Sequence, residues 1–177
     1  LAMVGAKPVA LSCGLILEEG FPLRDLQRIL ESMRHAADVA NVSIVTGDTK
    51  VVDRGKSDLV FINTAGIGLV PNGINIEPSR IKSGDAIIVN GDIGRHGIAI
   101  MTSREGLAFD SLIESDCASL HSPIAALLGA GVIPHCLRDL TRGGLGTALI
   151  ELAEATELSF RLESERISIR QDVQATC

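Results

Sequence analysis

The stretch Ile44-Val45-Thr46-Gly47-Asp48-Thr49-Lys50-Val51-Val52 sets four small or polar residues between two apolar runs, and a third apolar run, Leu59-Val60-Phe61-Ile62, follows closely. The β-branched flanks predict a short strand over 42–46 and a second beginning near Lys50. On that reading Gly47, Asp48, Thr49 and Lys50 leave a strand end together. Glycine lets a ligand approach the backbone. Aspartate can hold Mg²⁺ directly or through water, and lysine neutralises phosphate oxygens as a compact charge. These are the parts a nucleotide phosphate needs, although the spacing is not the Walker pattern G-x-x-x-x-G-K-[ST]. A polar connector of the same composition needs no ligand, so the tetrapeptide alone leaves both readings open.

Outward from it, residues 22–40 predict an amphipathic helix. Leu23, Leu26, Ile29, Leu30, Met33 and Ala37 recur at three- and four-residue spacing. Pro22 suits the first turn, where a missing N–H costs nothing, and Asn41 suits the stop. Arg54-Gly55-Lys56 reads as a turn and 58–64 as a buried strand. Ala65-Gly66-Ile67-Gly68 with Pro71-Asn72-Gly73 reads as a break, and the domain boundary is placed just after it, near Asn75 to Ser79, giving 1–76 and 77–177. In the second part a strand over 86–89 leads into Gly91-Asp92-Ile93-Gly94-Arg95-His96-Gly97 and an apolar helix ending near Glu105. That glycine spacing is not the dinucleotide fingerprint, and His96 is read as a packing or hydrogen-bonding residue. A helix over 119–128 turns Leu120, Ile124, Leu127 and Leu128 inward. Another, after Gly144, turns Leu145, Ala148, Leu149, Leu152 and Ala153 inward, and 158–162 is read as a strand. Intermixed strands and helices predict an α/β or α+β fold.

Composition excludes several classes. The chain has 177 residues, 46% of them hydrophobic, so it can bury a core. No apolar run reaches the roughly 20 residues of a membrane span. A formal charge of −6 without a basic stripe, and 2% aromatic residues with no Trp or Tyr, argue against nucleic-acid binding. Cys13, Cys117, Cys136 and Cys177 form neither a C-x-x-C pair nor zinc spacing. They read as reduced thiols of a cytoplasmic protein. His135-Cys136 is read as structural, His35 as solvated, and Glu18-Glu19 as solvated rather than metal-binding. Leu1 opens without a basic secretory start, and the absent initiator methionine suggests an internal piece of a longer protein.

A second chemistry-bearing segment is Asp139-Leu140-Thr141-Arg142-Gly143-Gly144. Its glycines open a helix whose positive end attracts an anion. Asp139 could bind Mg²⁺, Thr141 could donate to a phosphate oxygen, and Arg142 could pair with it bidentately. A capped helix with a surface Asp–Arg pair accounts for the same residues, so the segment alone decides nothing.

Together these stretches resemble a known family. Leu1-Ala2-Met3-Val4-Gly5-Ala6-Lys7-Pro8, Leu11-Ser12-Cys13-Gly14-Leu15-Ile16-Leu17-Glu18-Glu19-Gly20, the run 47–52, Phe61-Ile62-Asn63-Thr64-Ala65-Gly66-Ile67-Gly68 and Asp139 to Gly144 stand in the order found in the hydrogenase maturation factor family HypE. That family belongs to the superfamily of aminoimidazole-ribonucleotide synthetase, selenophosphate synthetase and thiamine-monophosphate kinase. The G-D-T-K-V-V and F-I-N-T-A-G stretches favour HypE among them. The resemblance implies a two-domain synthetase-like fold: an N-terminal mixed-sheet domain that dimerises by pairing sheets, then a C-terminal α/β sandwich, both truncated here. It implies ATP and Mg²⁺, with Lys50, Asp48 and Arg142 catalytic. Gly47, Thr49, Lys50, Thr141, Gly143 and Gly144 would bind nucleotide, and Asp48 and Asp139 metal. The implied reaction is ATP-dependent dehydration of a carbamoylated C-terminal cysteine to a thiocyanate, which supplies cyanide to the iron of nickel–iron hydrogenase. The implied partners are a second copy, a carbamoyltransferase and an iron-carrying maturation complex.

The chain departs from the family at its ends. It lacks the Asn-Asp pair before the L-A-M segment, the later N-E-G-K segment and the Pro-Arg-x-Cys tail. Cys177 is rejected as the acceptor thiol because Gln174-Ala175-Thr176 does not match that tail. The isolated chain is therefore expected to have little or no dehydratase activity. A small-molecule kinase or synthetase of the superfamily, and a non-catalytic dimerisation or docking module, are the alternatives.

Overall fold

The computed structural model describes residues 1–105 and 113–176, so Cys177 lies outside the described residues. The chain divides into two compact units, Leu1–Asn75 with Ser119–Ile133, and Ile76–Ala118 with Pro134–Cys177.

In the first unit the central strand is β1 (Lys7–Glu18). Helix α1 (Leu23–Val39) carries the chain to β2 (Ser43–Val52), which lies parallel to β1. Strand β3 (Val60–Leu69) pairs with β1 antiparallel on its other side, giving the order β2-β1-β3. This is the mixed sheet that the family resemblance implies. Alternation along β1 sends Cys13, Leu15 and Leu17 to one face, each only 9% exposed. Phe21, Leu26 and Met33 from around α1, with Val60 of β3, pack on them. Each buried Leu contributes about 1.5–3 kcal/mol. Leu26, Ile29, Met33 and Ala37 are half-buried, whereas Leu23 and Leu30 are exposed. At 3.6 residues per turn those two leucines lie along the edge of the stripe rather than on it.

Several sequence expectations fail here for one reason, which is strand pairing. The predicted turn at 47–50 is the interior of β2, because β1 offers ladder partners continuously to Val52. The predicted break at 65–68 is strand as well, since Ser12, Leu11 and Ala10 pair with Ala65, Gly66 and Ile67. The strand predicted as buried over 58–64 is largely exposed, with Phe61 at 48% and Ile62 at 44%. Conversely, the runs 86–89 and 158–162 are not strands. A strand needs a neighbour to complete its ladder; among the described residues neither run has one, and Ile88 is 86% exposed.

In the second unit α2 (Arg95–Glu105) and α4 (Gly144–Thr156) are the long helices, with the short α5 (Gln171–Gln174) near the end. Helix α3 (His121–Gly129) belongs to the first unit, and its Leu127, predicted to face inward, is 40% exposed. Among the described residues of the second unit, the buried apolar ones are Ile76, Ile113, Ala148 and Val173. Backbone bonds from Glu77 N to His135 O and from Ile93 N to Ser168 O, both 3.0 Å, cross-tie it. His135, read as structural, donates from Nδ1 to Asp85 Oδ2 at 2.7 Å, and His96 Nδ1 lies 2.9 Å from Ser115 Oγ. Among the described residues no helix is long and apolar enough to cross a membrane.

Candidate functional site

Two polar clusters correspond to the two predicted segments, one in each unit. The first is built on β2. Between Leu11 and Ser12 the β1–β2 register slips, because Ile44 pairs with Leu11 and Thr46 with Ser12, leaving Val45 as a bulge. Beyond the bulge Gly47 stands opposite Cys13, and a Cβ there would collide with the Cys13 carbonyl oxygen. Glycine is thus required at 47 by strand pairing, a reason the sequence did not suggest. Gly14 pairs with Asp48, Leu15 with Thr49 and Ile16 with Lys50.

Since successive side chains alternate faces, Asp48 and Lys50 share the face opposite the α1-covered Leu15. Thr49 falls on the Leu15 face, which separates it from Lys50, the other predicted nucleotide side chain of this strand. The open face therefore carries two transverse rows, Asp48–Gly14–Asn63 and Lys50–Ile16–Phe61. Each row spans roughly 10 Å at ordinary strand spacing. Gly14 leaves a gap between Asp48 and Asn63, where a side chain would meet only the Asn63 carbonyl at 3.9 Å. Asp48 Oδ1 accepts from the Thr49 N–H at 2.8 Å. Lys50 is exposed and, among the described residues, has no ion-pair partner. Asn63 and Phe61 were missed as neighbours of this cluster, because the pairing of 58–69 with β1 has no local sequence signal.

Glu18 refines another expectation. Glu19 is exposed, but Glu18 is half-buried and engaged: its Oε1 accepts from Gly55 N at 2.8 Å and its Oε2 from Ser57 N at 3.3 Å and Ser57 Oγ at 3.4 Å. The Gly55 amide, helped by the Leu59 and Ser57 bonds and opposed by some desolvation, holds this carboxyl below its ordinary range.

The second cluster precedes α4. Asp139 Oδ2 accepts from the Thr141 hydroxyl, and Arg138 Nη1 lies 3.6 Å from Asp139 Oδ1. The Thr141 bond keeps the Asp139 carboxyl below its ordinary range against a smaller opposing pull from desolvation. Arg138 is anchored from the other side by Glu151 of α4, Nη2 to Oε2 at 2.5 Å. Sequence reasoning missed both Arg138 and Glu151, since no periodicity joins positions thirteen apart. Gly143 and Gly144 hold left-handed φ of 66° and 64°, and a Cβ on Gly143 would strike Thr147. No side chain caps α4, which leaves its first amides open to an anion. Arg142 is exposed and, among the described residues, forms no ion pair or hydrogen bond with another side chain.

The donor chemistry fits Mg²⁺–ATP in one specific sense. Among the described residues no three His, Cys, Asp or Glu side chains cluster as a metal cage. Magnesium usually takes only one or two carboxylates, the remaining ligands being water and substrate phosphate oxygens. Asp48 and Asp139 each offer such a carboxylate, while Lys50 and Arg142, exposed and without an ion-pair partner among the described residues, and the start of α4, with no side-chain cap, can donate to phosphate.

The wider likeness agrees with these features. Residues 1–70 match the family model of the AIR synthase related protein, N-terminal domain, and residues 82–176 that of the AIR synthase related protein, C-terminal domain. The carbamoyl dehydratase HypE of Azotobacter vinelandii is 50% identical over 177 residues, 100% of this chain and 52% of that protein. The crystal structure of a hydrogenase maturation protein HypE in complex with ATP is 43% identical, with a TM-score of 0.96 over 99% of this chain and 52% of the other. A HypE–HypF complex contains a chain 42% identical, with a TM-score of 0.93 over 99% of this chain and 57% of the other. The chain thus spans about half the length of the relatives it matches. With both family models matched in order along a mixed sheet and an uncapped glycine-led helix, the chain belongs to the AIR synthase related family.

Proposed function

We propose that this chain is part of an ATP-dependent carbamoyl dehydratase of hydrogenase maturation. The observation that carries the reading is Lys50, without an ion-pair partner among the described residues, on the same open sheet face as Asp48, in a chain 43% identical to an ATP-bound HypE. On this reading the domains are 1–76 and 77–177, and ATP and Mg²⁺ are required.

Lys50 neutralises a phosphate oxygen, and Asp48 takes metal directly or through water. In the second unit Asp139 holds metal, Thr141 and the backbone at Gly143-Gly144 donate to phosphate, and Arg142 spreads charge over it. Mg²⁺–ATP supplies the phosphoryl group that makes a carboxamide oxygen, otherwise a poor leaving group, able to depart as phosphate. The overall balance is thiocarboxamide plus ATP giving thiocyanate, ADP and phosphate, with the amide oxygen leaving in the phosphate. The thiocarboxamide is a carbamoylated C-terminal cysteine of the whole protein, and the cyanide group goes to the iron of nickel–iron hydrogenase. A carbamoyltransferase and an iron-carrying complex are the proposed partners, supported by the HypE–HypF likeness. The exposed sheet face, with Ile16 at 41% and Phe61 at 48%, suits pairing with a second copy. The proposed setting is cytoplasmic.

The test uses the full-length protein with its C-terminal cysteine carbamoylated, Mg²⁺–ATP added, and intact mass followed. ATP-dependent loss of the mass of one water, abolished in Lys50→Ala together with the Mg²⁺–ATP rise in Tm, is the expected result. ATP binding without the mass change would replace this reading by a small-molecule kinase or synthetase, and no binding by a docking module.

A further inference from the structure

We propose that Glu18 is a positioning residue: by clamping the turn between β2 and β3 it sets the end of β2 and hence the placement of Lys50. This rests on the nucleotide reading of Lys50.

Glu18 is the last residue of β1 and pairs with Val52, the last residue of β2 and two positions beyond Lys50. Its two carboxylate oxygens take both amides and the hydroxyl that the turn presents at Gly55 and Ser57. Its own N–H donates to the Leu59 carbonyl at 2.8 Å, and the next N–H, of Glu19, donates to the Val52 carbonyl at 2.9 Å. One short segment therefore grips the end of β2, the middle of the turn and the start of β3. The Arg54 guanidinium lies against Gly20, closing the same turn from outside.

The turn also carries strain. Leu59 has φ 70°, a left-handed conformation that a branched side chain disfavours, and its side chain is 59% exposed. Such a conformation persists only where its surroundings over-determine it. Burial of Leu59 does not hold it, whereas the Glu18 N–H on the Leu59 carbonyl and the Glu18 carboxylate on Gly55 and Ser57 just before it do. A carboxylate suits the task because it accepts from several donors at once without needing a donor of its own. Lys50 is borne on the same strand end, so loosening the turn lets β2 fray back toward it.

The test compares Glu18→Gln and Glu18→Ala with the unaltered full-length protein. Glutamine keeps the volume and one acceptor but turns an NH₂ toward Ser57. Amide exchange at Gly55 and Ser57 should quicken about tenfold in Glu18→Ala, as expected when a local opening loses charge-assisted bonds, and less in Glu18→Gln. The Lys50 amide signal, read in ligand-free protein labelled at lysine, should shift in the same order. The KM for ATP should rise about threefold or more with a smaller change in kcat, a split that signals loss of binding rather than of active enzyme. If the turn amides exchange faster while the Lys50 signal and KM stay put, Glu18 is only a local brace and the proposal is overturned. If the unaltered protein binds no ATP, the nucleotide reading fails on its own, and the Lys50 signal in ligand-free protein still decides the clamp. Should Glu18→Ala fail to fold, Glu18→Gln carries the decision, and an unshifted Lys50 in that variant overturns the proposal.

Discussion

Asp48 and Asp139 are both carboxylates suited to a nucleotide's metal, yet the fold presents them in opposite ways. Asp48 sits inside a ten-residue strand paired along its length with β1, and its side chain accepts from the adjacent Thr49 amide. Asp139 sits in a turn outside regular structure and is held by side chains, Thr141 directly and Arg138 at longer range. The position of the first is set by backbone pairing, which substitution of neighbouring side chains barely alters. The position of the second is set by hydroxyl and guanidinium groups that single substitutions remove. The first cluster should therefore break through glycines and register, the second through polar side chains.

The largest expected effect follows from the strand. Gly47→Ala places a Cβ against the Cys13 carbonyl oxygen in the middle of the β1–β2 ladder. Neither backbone can retreat without losing pairing, so the substitution should destabilise the first unit by about 3 kcal/mol, the upper part of the usual range for overpacking. Urea denaturation would measure it. A loss below 0.5 kcal/mol, which is about the scatter of neutral surface changes, would show that the bulge at Val45 absorbs the insertion and that strand pairing is softer than argued.

A smaller effect separates two neighbouring glycines in the other cluster. Gly143 and Gly144 share left-handed φ, but only Gly143 has a neighbour within reach, Thr147. Gly144→Ala should cost about 1 kcal/mol for the conformation alone. Gly143→Ala should cost about 2 kcal/mol, since the Thr147 side chain must also turn aside. Thr147→Ala should bring the two values together, measured by the same denaturation. If Gly143→Ala remained the costlier variant with Thr147 absent, the contact would not be the cause of the difference.

What the sequence made legible follows the same division. Helix α1 was readable because its signal is local: a three- and four-residue recurrence with Pro22 at one end and Asn41, at φ 50°, near the other. The segment before α4 was readable for a similar reason, since Asp139, Thr141 and the two glycines interact over a few residues. The strand at 43–52 was misread because Gly47 and Asp48 look like a turn in isolation. Their extended conformation comes from β1, more than thirty residues earlier in the chain. Ala65 to Gly68 failed the same way, its glycines serving close approach to Leu11 and Lys7 rather than a turn. The clamp at Glu18 could not be seen because its donors lie 37 and 39 residues away. Both clusters were found as residue types, and the fold resemblance placed them in order. Their geometry came from pairings that local pattern does not encode.

The smallest expected effect tests whether Asp139 is truly set by side chains. The Thr141 hydroxyl is the largest cause of the lowered Asp139 value. A carboxyl depressed in the native state contributes stability at pH above its unfolded value, and that contribution is lost as pH falls through the native value. Thr141→Val removes the hydroxyl at nearly constant volume, so the Asp139 titration midpoint should rise toward the ordinary carboxylate range. The acid loss of stability linked to Asp139 should shrink accordingly. The stability change should be slight, because the Asp139 side chain is 39% exposed and solvent screens the pair. The midpoint itself, read by carbon-13 NMR of the Asp139 carboxyl, is the sharper observable. Arg138→Gln should move the same midpoint in the same direction but less, since its nitrogen stands 3.6 Å away and is engaged by Glu151 at 2.5 Å. If Arg138→Gln moved the midpoint more than Thr141→Val, long-range charge rather than the short hydroxyl bond would govern Asp139. The contrast with the strand-held Asp48 would then rest on electrostatics instead of hydrogen-bond geometry.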